Sequence, residues 1–441
     1  MLQATSDSRF FVGEDRALSL AKTVKDPLKA IEIAIAFEKD TMLAFAAAQG
    51  ARRIAPGPMG GTIRHARRLL LIAALLAAMT PPLSARGAVE TPDKTWLQVG
   101  GTVYGCVPDN TGPLGGGSGY SRAVTSGKHV AASVEQLRER LASAESGQTV
   151  YIPGEEVLDF TQAVLSEGCV LVVPAGVTLA GERGSGGSRG ALLKSDAFQT
   201  SPLILAGGSG VRITGLRIQG PDPGRSLAHW RRSFSSLYKT QREGLPEHEY
   251  FYRLPTSRGV LTEHDDLEVD NCELSGWSAA AIFLAAGRGH HVHHNHIHHN
   301  QRKGLGYGVS HGTAFSLIEY NLFGWNRHSI AGTGSPPSGY TARHNLEAGP
   351  SLSHSFDMHG GRDRNDGTQI AGTRIEIYSN TFLGRTRAIA IRGRPEEQAL
   401  IYGNWFAAHF GPGPATIRWP RLADTVKIGP NHYGRYPPAV R

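Results

Sequence analysis

The stretch RGHHVHHNHIHHN, Arg288–Asn300, places seven histidines in thirteen residues. Its histidines invite a metal, but its apolar residues decide the fold. Val292 and Ile297 stand three before and two after Asn295, and this frame returns as Ile318/Asn321/Phe323, Ala342/Asn345/Glu347, Ile377/Asn380/Phe382, Ile401/Asn404/Phe406 and Ile428/Asn431/Tyr433. Upstream, Val269/Cys272/Leu274 and Ile213/Leu216/Ile218 fit the same template with other residues at its centre. The six asparagines are 26, 24, 35, 24 and 27 residues apart, the signature of one supersecondary unit of about 25 residues repeating along the chain. Neither the leucine ladder of leucine-rich repeats nor the 3.6-residue stripe of helical repeats is present, which leaves a parallel β-helix. In that fold coils stack about 4.8 Å apart with like residue over like. An inward Asn at a bend bonds its neighbours above and below and satisfies turn backbone otherwise buried unpaired. The histidine-rich stretch is therefore first a rung: Val292, Asn295 and Ile297 point inward, most histidines lie outside or at turns, and their spacing matches no defined zinc motif.

A solenoid uses length without adding domains, so the 441 residues are compatible with one β-rich domain. The net charge of +8 suggests a nucleic-acid partner until it is located. Residues 1–87 hold 12 Lys+Arg against 7 Asp+Glu, leaving 34 against 31 for the remainder. A surplus of three charges over that length argues against a broad phosphate-binding face.

The N-terminal region divides by composition. Arg64-His65-Ala66-Arg67-Arg68, the apolar run Leu69–Met79 and the small residues after it read as a secretory signal over 59–87, too short in its apolar core to span a bilayer. With Met59 just ahead, residues 1–58 read as an extension unrelated to the mature protein, which is expected to be secreted or periplasmic. Within that extension, Asp26–Phe45 resembles one rubrerythrin-like helix, with Glu32 and Glu38 at positions for iron ligands, but a lone helix lacks the partners of a di-iron site. A Gly-rich leading segment covers 88–130 and the β-helix 131–435. Of three cysteines, Cys272 occupies a ladder position and is expected buried and free, while Cys106 and Cys169 are candidates for a disulfide.

The segment Ser133–Gly154 carries a helical stripe of Leu137, Leu141 and Ala144 followed by a turn and strand, as expected of a cap helix over the first coil. With "QTVYIPG", "VTLAGERG", "ALL" and "GVRITGLRIQGP" ahead of the Asn-centred coils, the chain from about Val130 to Tyr433 resembles the right-handed parallel β-helix proteins of the pectate-lyase-like superfamily. The resemblance implies an all-β, right-handed β-helix solenoid. Its members include lyases, hydrolases, esterases, epimerases and adhesins, so it leaves the activity open.

Two insertions interrupt the coils. The first, from Pro221 to about Arg258, holds Trp230, Arg231, Arg232 and Tyr252; aromatic faces stack on sugars and guanidinium forks pair with carboxylates, so these are candidate substrate contacts. The second, Gly361–Gly372, follows the most polar strand. Aligned on closing glycines, the segments YGVSHG, IAGTG, FDMHG and IAIRG give one outward column of His311, Thr333, His359 and Arg392 with Asp357 beside it. Asp, His and Arg on one column meet the needs of β-elimination from a uronate: neutralise the carboxylate, remove the α proton, protonate the leaving oxygen. An imidazole titrates near neutrality and a guanidinium does not deprotonate, so His359 is the expected base and Arg392 the carboxylate clamp, with Asp357 and His311 completing the catalytic set and Thr333 touching substrate.

The resemblance to pectate lyases implies Ca²⁺, for which Asp357, Asp363 and Asp366 are the candidates, though no run matches that family's calcium pattern. His328 and His354 stack on neighbouring coils at the parity of core residues, so ring stacking inside the bend is expected; with Asp357 and His359 they also form a candidate transition-metal set. The reading is a monomeric exported lyase acting on an acidic polysaccharide, with no nucleic-acid partner and no stable membrane insertion. A non-catalytic glycan-binding or adhesin-like β-helix and a metal-dependent hydrolase or esterase are the alternatives.

Overall fold

The computed structural model describes residues 94–221, 255–302 and 304–435, all within one compact unit, Ala88–Arg441. The segments expected to be signal and extension, with Glu32 and Glu38, and Trp230, Arg231, Arg232 and Tyr252 lie outside the described residues. The chain winds into a right-handed parallel β-helix whose coils each contribute a strand to three parallel sheets. Stacking sets apolar residues into continuous rows. Ile204, Val260, Ile282, Val309, Ile330, Phe356, Ile389 and Ile417 lie in register along the first sheet. Val269, Val292, Ile318, Ala342, Ile377, Ile401 and Ile428 do so along the second. On the third, Leu274, Ile297, Phe323, Glu347, Phe382, Phe406 and Tyr433 are aligned. Each row from Val260, Val269 or Leu274 to Phe356, Ile401 or Phe406 is buried in the common core, and Glu347 is buried at its place in the third.

The asparagine column sits at the bend between second and third sheets. Asn321 is fully buried. Its amide nitrogen donates to the carbonyls of Val292 (2.8 Å) and Glu319 (3.0 Å) and to Oδ1 of Asn345 (3.0 Å). Its own Oδ1 accepts from the backbone N–H and side-chain amide of Asn295, each at 3.0 Å. The pattern repeats through Asn345, Asn380 and Asn404. The residue before Asn295, Asn321, Asn345 and Asn380 is left-handed: His294, Tyr320, His344 and Ser379 have φ of 51–54°. Such a conformation is uncommon for a side-chain-bearing residue, and the hydrogen bonds of the adjoining asparagine hold it. A shorter ladder at the opposite bend, Asn300 over Asn326, lies outside the frame read from the sequence.

The cap helix, Val134–Ser143, starts at Ser133, whose hydroxyl accepts from the Gln136 N–H, and buries Leu137 and Leu141 over the first coil. This is the N-terminal solution to an open solenoid end. The leading segment is a strap rather than a loose connection. Gly105 N donates to Gly403 O, Cys106 to Thr381, Gly115 to Tyr320 O and Gly117 to Asn271 Oδ1, so the segment crosses the coils along the asparagine bend from the C-terminal end toward the first coils. Gly116 explains its composition: a Cβ there would stand 2.3 Å from the His294 carbonyl, a separation no side chain tolerates.

The strap also rules out the disulfide. All three cysteines are free and buried. Cys106 is carried to the His344 carbonyl, 2.6 Å from its sulfur, while Cys169 packs in the N-terminal coils just after the helix Thr161–Glu167. Cys272 is buried and unpaired, in agreement with its ladder position.

Candidate functional site on the first sheet

The histidine-rich rung is a network of paired groups. Val292, Asn295 and Ile297 are fully buried, as their frame requires. On the outside, His291 Nε2 lies 2.9 Å from Glu319, His293 Nε2 3.0 Å from Glu268, and His294 Nε2 3.1 Å from Asp109 on the strap. His294 also stacks on Tyr320, and His299 on Trp325. These histidines glue the strap and outer faces to the coils.

The sparser polar cluster lies on the first sheet, on the strands His328–Gly332, His354–Met358 and Arg387–Ile391. Three residues beyond the Ile330/Phe356 pair and one beyond Met358/Ile391 come Thr333, His359 and Arg392. Their rungs are joined by the His359 N–H on Gly332 O and the Arg392 N–H on Met358 O. These three do share an outward row. His311 does not. It pairs with Gly332, one residue short of the row, and a one-residue slip exchanges the faces of a strand. His311 is 0% exposed, its Nδ1 2.9 Å from Ala331 O and its Nε2 2.7 Å from the Ser316 hydroxyl, and burial drops its pKa to about 4. It is a packed core histidine, and the expectation that it lies outward is corrected.

Asp357 is the centre. Expected at the surface, it is 0% exposed because its neighbours close over it. Arg392 donates from Nε (2.9 Å) and Nη2 to its two oxygens and from Nη1 to Asp363 (3.0 Å). His359 Nε2 approaches Oδ2 at 2.9 Å and His354 Nε2 approaches Oδ1 at 3.1 Å, yet neither is aligned for a hydrogen bond. Burial alone pushes this carboxyl up; the close imidazoles of His354 and His359 and the guanidinium of Arg392 outweigh it and hold it well below the usual range. The Asp357–Arg392 pair is therefore ionic, and breaking it would leave a buried charge without a partner. Arg392 differs from the sequence reading in consequence: its fork is committed to two carboxylates and is not a free clamp.

His328 and His354 are also relocated. Their rings meet at 4.1 Å but tilted by 33° rather than stacked, and they do so outside the core. At the start of the strands of this sheet two consecutive residues face inward, Ala281 with Ile282 and Ala388 with Ile389. Ala280, Tyr307 and Ala331 form a separate outer cluster. His328, which pairs with Tyr307 in register and stacks on its ring at 5.6 Å, shares that outer side. Its Nε2 faces Asp357 at 3.8 Å, and burial holds its imidazole well below the ordinary histidine range. Two consecutive inward residues break the period of two, which is why alternation assigned these rings to the core.

Arg327, which sequence reasoning did not single out, belongs to the cluster. Its guanidinium lies 5.8 Å from the Tyr307 ring and its Nη1 is buried without a hydrogen-bond partner. Only the motif Arg327-His328 at the head of the polar strand signals it.

The three carboxylates considered for Ca²⁺ do not gather into one ligand group among the described residues. Asp363 accepts from Arg392 and from the Gly360 N–H, and Asp366 from Arg364 and Thr368. The donors around Asp357 are imidazole nitrogens, whereas Ca²⁺ takes six to eight oxygens. These residues do not fit Ca²⁺.

No family model and no curated protein matches the sequence. Among solved structures, the chain is similar to an alginate lyase from Paenibacillus sp. str. FPU-7, with a TM-score of 0.46 and 13% identity over 70% of this chain and 95% of that one. It is also similar to the Family 28 exopolygalacturonase of Yersinia enterocolitica, with a TM-score of 0.36 and 11% identity over 71% of this chain and 63% of that one.

Proposed function

We propose that the protein is an exported carbohydrate-active enzyme that cleaves an acidic, uronate-containing polysaccharide by β-elimination, with His359 as the proton-transferring base. The observation that supports this is the His359/Asp357/Arg392 arrangement. A partly exposed imidazole, 24% accessible, abuts a fully buried carboxylate that a guanidinium holds through both oxygens. With Nε2 turned to Asp357, the other ring nitrogen is left for chemistry, and among the described residues nothing bonds it. Removal of the α proton by Nδ1 makes an imidazolium that Asp357 stabilises at contact distance, the division of labour of a carboxylate–histidine pair in acyl transfer. The same imidazolium then protonates the departing glycosidic oxygen. Arg392 is a positioning residue that fixes Asp357. Neutralisation of the uronate carboxylate falls to the partly exposed Arg327, which precedes His328 in the chain. Thr333, exposed on the His359 row, is a substrate contact.

A second reading, metal-assisted hydrolysis, is favoured by the imidazole nitrogens of His328 and His354 converging on one carboxylate. The test is incubation of the mature chain with a panel of uronate polymers. Ultraviolet absorbance from unsaturated uronate ends that disappears in His359→Ala supports elimination. New reducing ends without absorbance point to hydrolysis, and retention on a polymer column without either product points to a binding protein; both outcomes refute the lyase reading.

A further inference from the structure

Two groups among the described residues bring three metal-type donors within reach of a common point: Glu268/His291/His293 and His328/His354/Asp357. They differ in what their nitrogens already hold. In the first, His291 Nε2 is engaged by Glu319, His293 Nε2 by Glu268 and His293 Nδ1 by His294 at 3.0 Å, while Arg122 and Arg212 flank Glu268 at 2.8 and 3.5 Å. Both nitrogens of His293 and Nε2 of His291 are engaged, and two cations already stand beside the carboxylate.

In the second group two acceptors face each other. His328 Nδ1 lies 2.5 Å from the His354 carbonyl oxygen. A carbonyl only accepts, so Nδ1 carries the proton and Nε2 presents a bare lone pair. That lone pair is fully buried, has no hydrogen-bond partner and is aimed at a carboxylate oxygen 3.8 Å away. Two acceptors facing each other in a dry site repel unless a positive centre lies between them. His354 Nε2, 3.1 Å from the other oxygen and likewise without an aligned hydrogen bond, faces the same point.

We propose that His328 Nε2, His354 Nε2 and the Asp357 carboxylate are the protein ligands of a divalent transition-metal ion of the Zn²⁺ class. Bonds of about 2.0–2.1 Å in a tetrahedral shell put ligand atoms roughly 3.3 Å apart, and separations of 3.1 and 3.8 Å straddle that value. Two imidazoles and a carboxylate are donors such an ion prefers, with one position left for water or substrate. The supporting contacts are in place: the His354 carbonyl fixes the His328 tautomer, the Ser353 hydroxyl sits 3.2 Å from His354 Nδ1, and Arg392 holds the carboxylate. Outer partners of this kind orient ligands. Ion binding does not depend on the lyase reading. Its role, taking a uronate carboxylate or a water beside His359, does.

The test uses the untagged chain after chelation. Titration with Co²⁺ should give a visible d–d band of tetrahedral type saturating at one equivalent, and Zn²⁺ should displace it. His328→Asn and His354→Asn should each weaken Co²⁺ binding by about a hundredfold or more, whereas His291→Asn, in the paired group, should leave it unchanged. Absence of the band in the wild-type chain overturns the proposal without recourse to any variant, as does a band that survives both His328→Asn and His354→Asn. The uronate assay on the same preparations keeps the two claims apart. Stoichiometric Co²⁺ binding without unsaturated product sinks the lyase and keeps the ion; product from a chain that takes up no Co²⁺ does the reverse.

Discussion

Replacing Glu347 by Gln should stabilise the protein at neutral pH and leave it unchanged in mild acid. Glu347 stands in the third-sheet row between Phe323 and Phe382, 2% exposed and with both carboxylate oxygens lacking a hydrogen-bond partner. Burial pushes its pKa up to about 8, the Ser329 hydroxyl lowering it only in part. Its unfolded value is near 4.5. Between those limits the folded chain retains a proton that the unfolded chain has lost, so stability is full below the unfolded pKa and falls as pH rises toward the folded one. Each pH unit in that window costs about 1.4 kcal/mol. At about pH 7.5 the penalty is then on the order of 4 kcal/mol, a large part of the roughly 5–15 kcal/mol that holds a domain folded. Gln keeps the shape and cannot ionise. Urea unfolding of both chains at about pH 4.5 and about pH 7.5 measures the difference. Between the two pH values the wild type should lose about 4 kcal/mol relative to Glu347→Gln, whatever pH dependence the other groups give both chains. Parallel pH dependence in the two proteins would refute the reasoning, since it would mean that Glu347 ionises in the folded state with a partner or with water.

Asn321→Leu strands the Asn295 N–H and the Val292 carbonyl, at about 1–3 kcal/mol each, so its urea midpoint should fall well below that of Asn431→Leu at the partly solvated end of the ladder; equal midpoints would contradict the ladder energetics. His359→Ala should lower turnover on the accepted polymer by about a hundredfold or more, whereas His311→Ala should lower Tm through its core cavity. Asp357 has a depressed pKa, so its stabilisation is present above the unfolded value near 3.8 and is lost as pH falls below it. Asp357→Asn should therefore flatten the acid limb of the stability curve and destabilise at neutral pH by leaving Arg392 with Asp363 alone of its two carboxylates. Gly116→Ala should free the strap, read as faster proteolysis ahead of Ala131 with the coils intact.

The frame around Asn295 was enough to read the coil period, the inward rows and the buried Cys272, because stacking places like residue over like and the pattern is written once per coil. The shared row of Thr333, His359 and Arg392 was legible for the same reason. His311 was not. Its coil runs unbroken through the strand Tyr307–Glu319, Gly312 is not equivalent to Gly334, and a one-residue shift reverses the face. His328 and His354 escaped a period-of-two reading because consecutive inward residues break that period at the start of these strands. Glu347 was visible as a departure from the apolar frame, but its protonation follows from burial, which only the packed coils create. The strap and the cage around Asp357 join residues from distant positions: Gly117 reaches Asn271, Cys106 reaches Thr381, and Arg392 reaches Asp357. Local sequence carries the repeat because each coil solves the same packing problem. The site belongs to tertiary structure because its charges meet only after neighbouring coils have stacked.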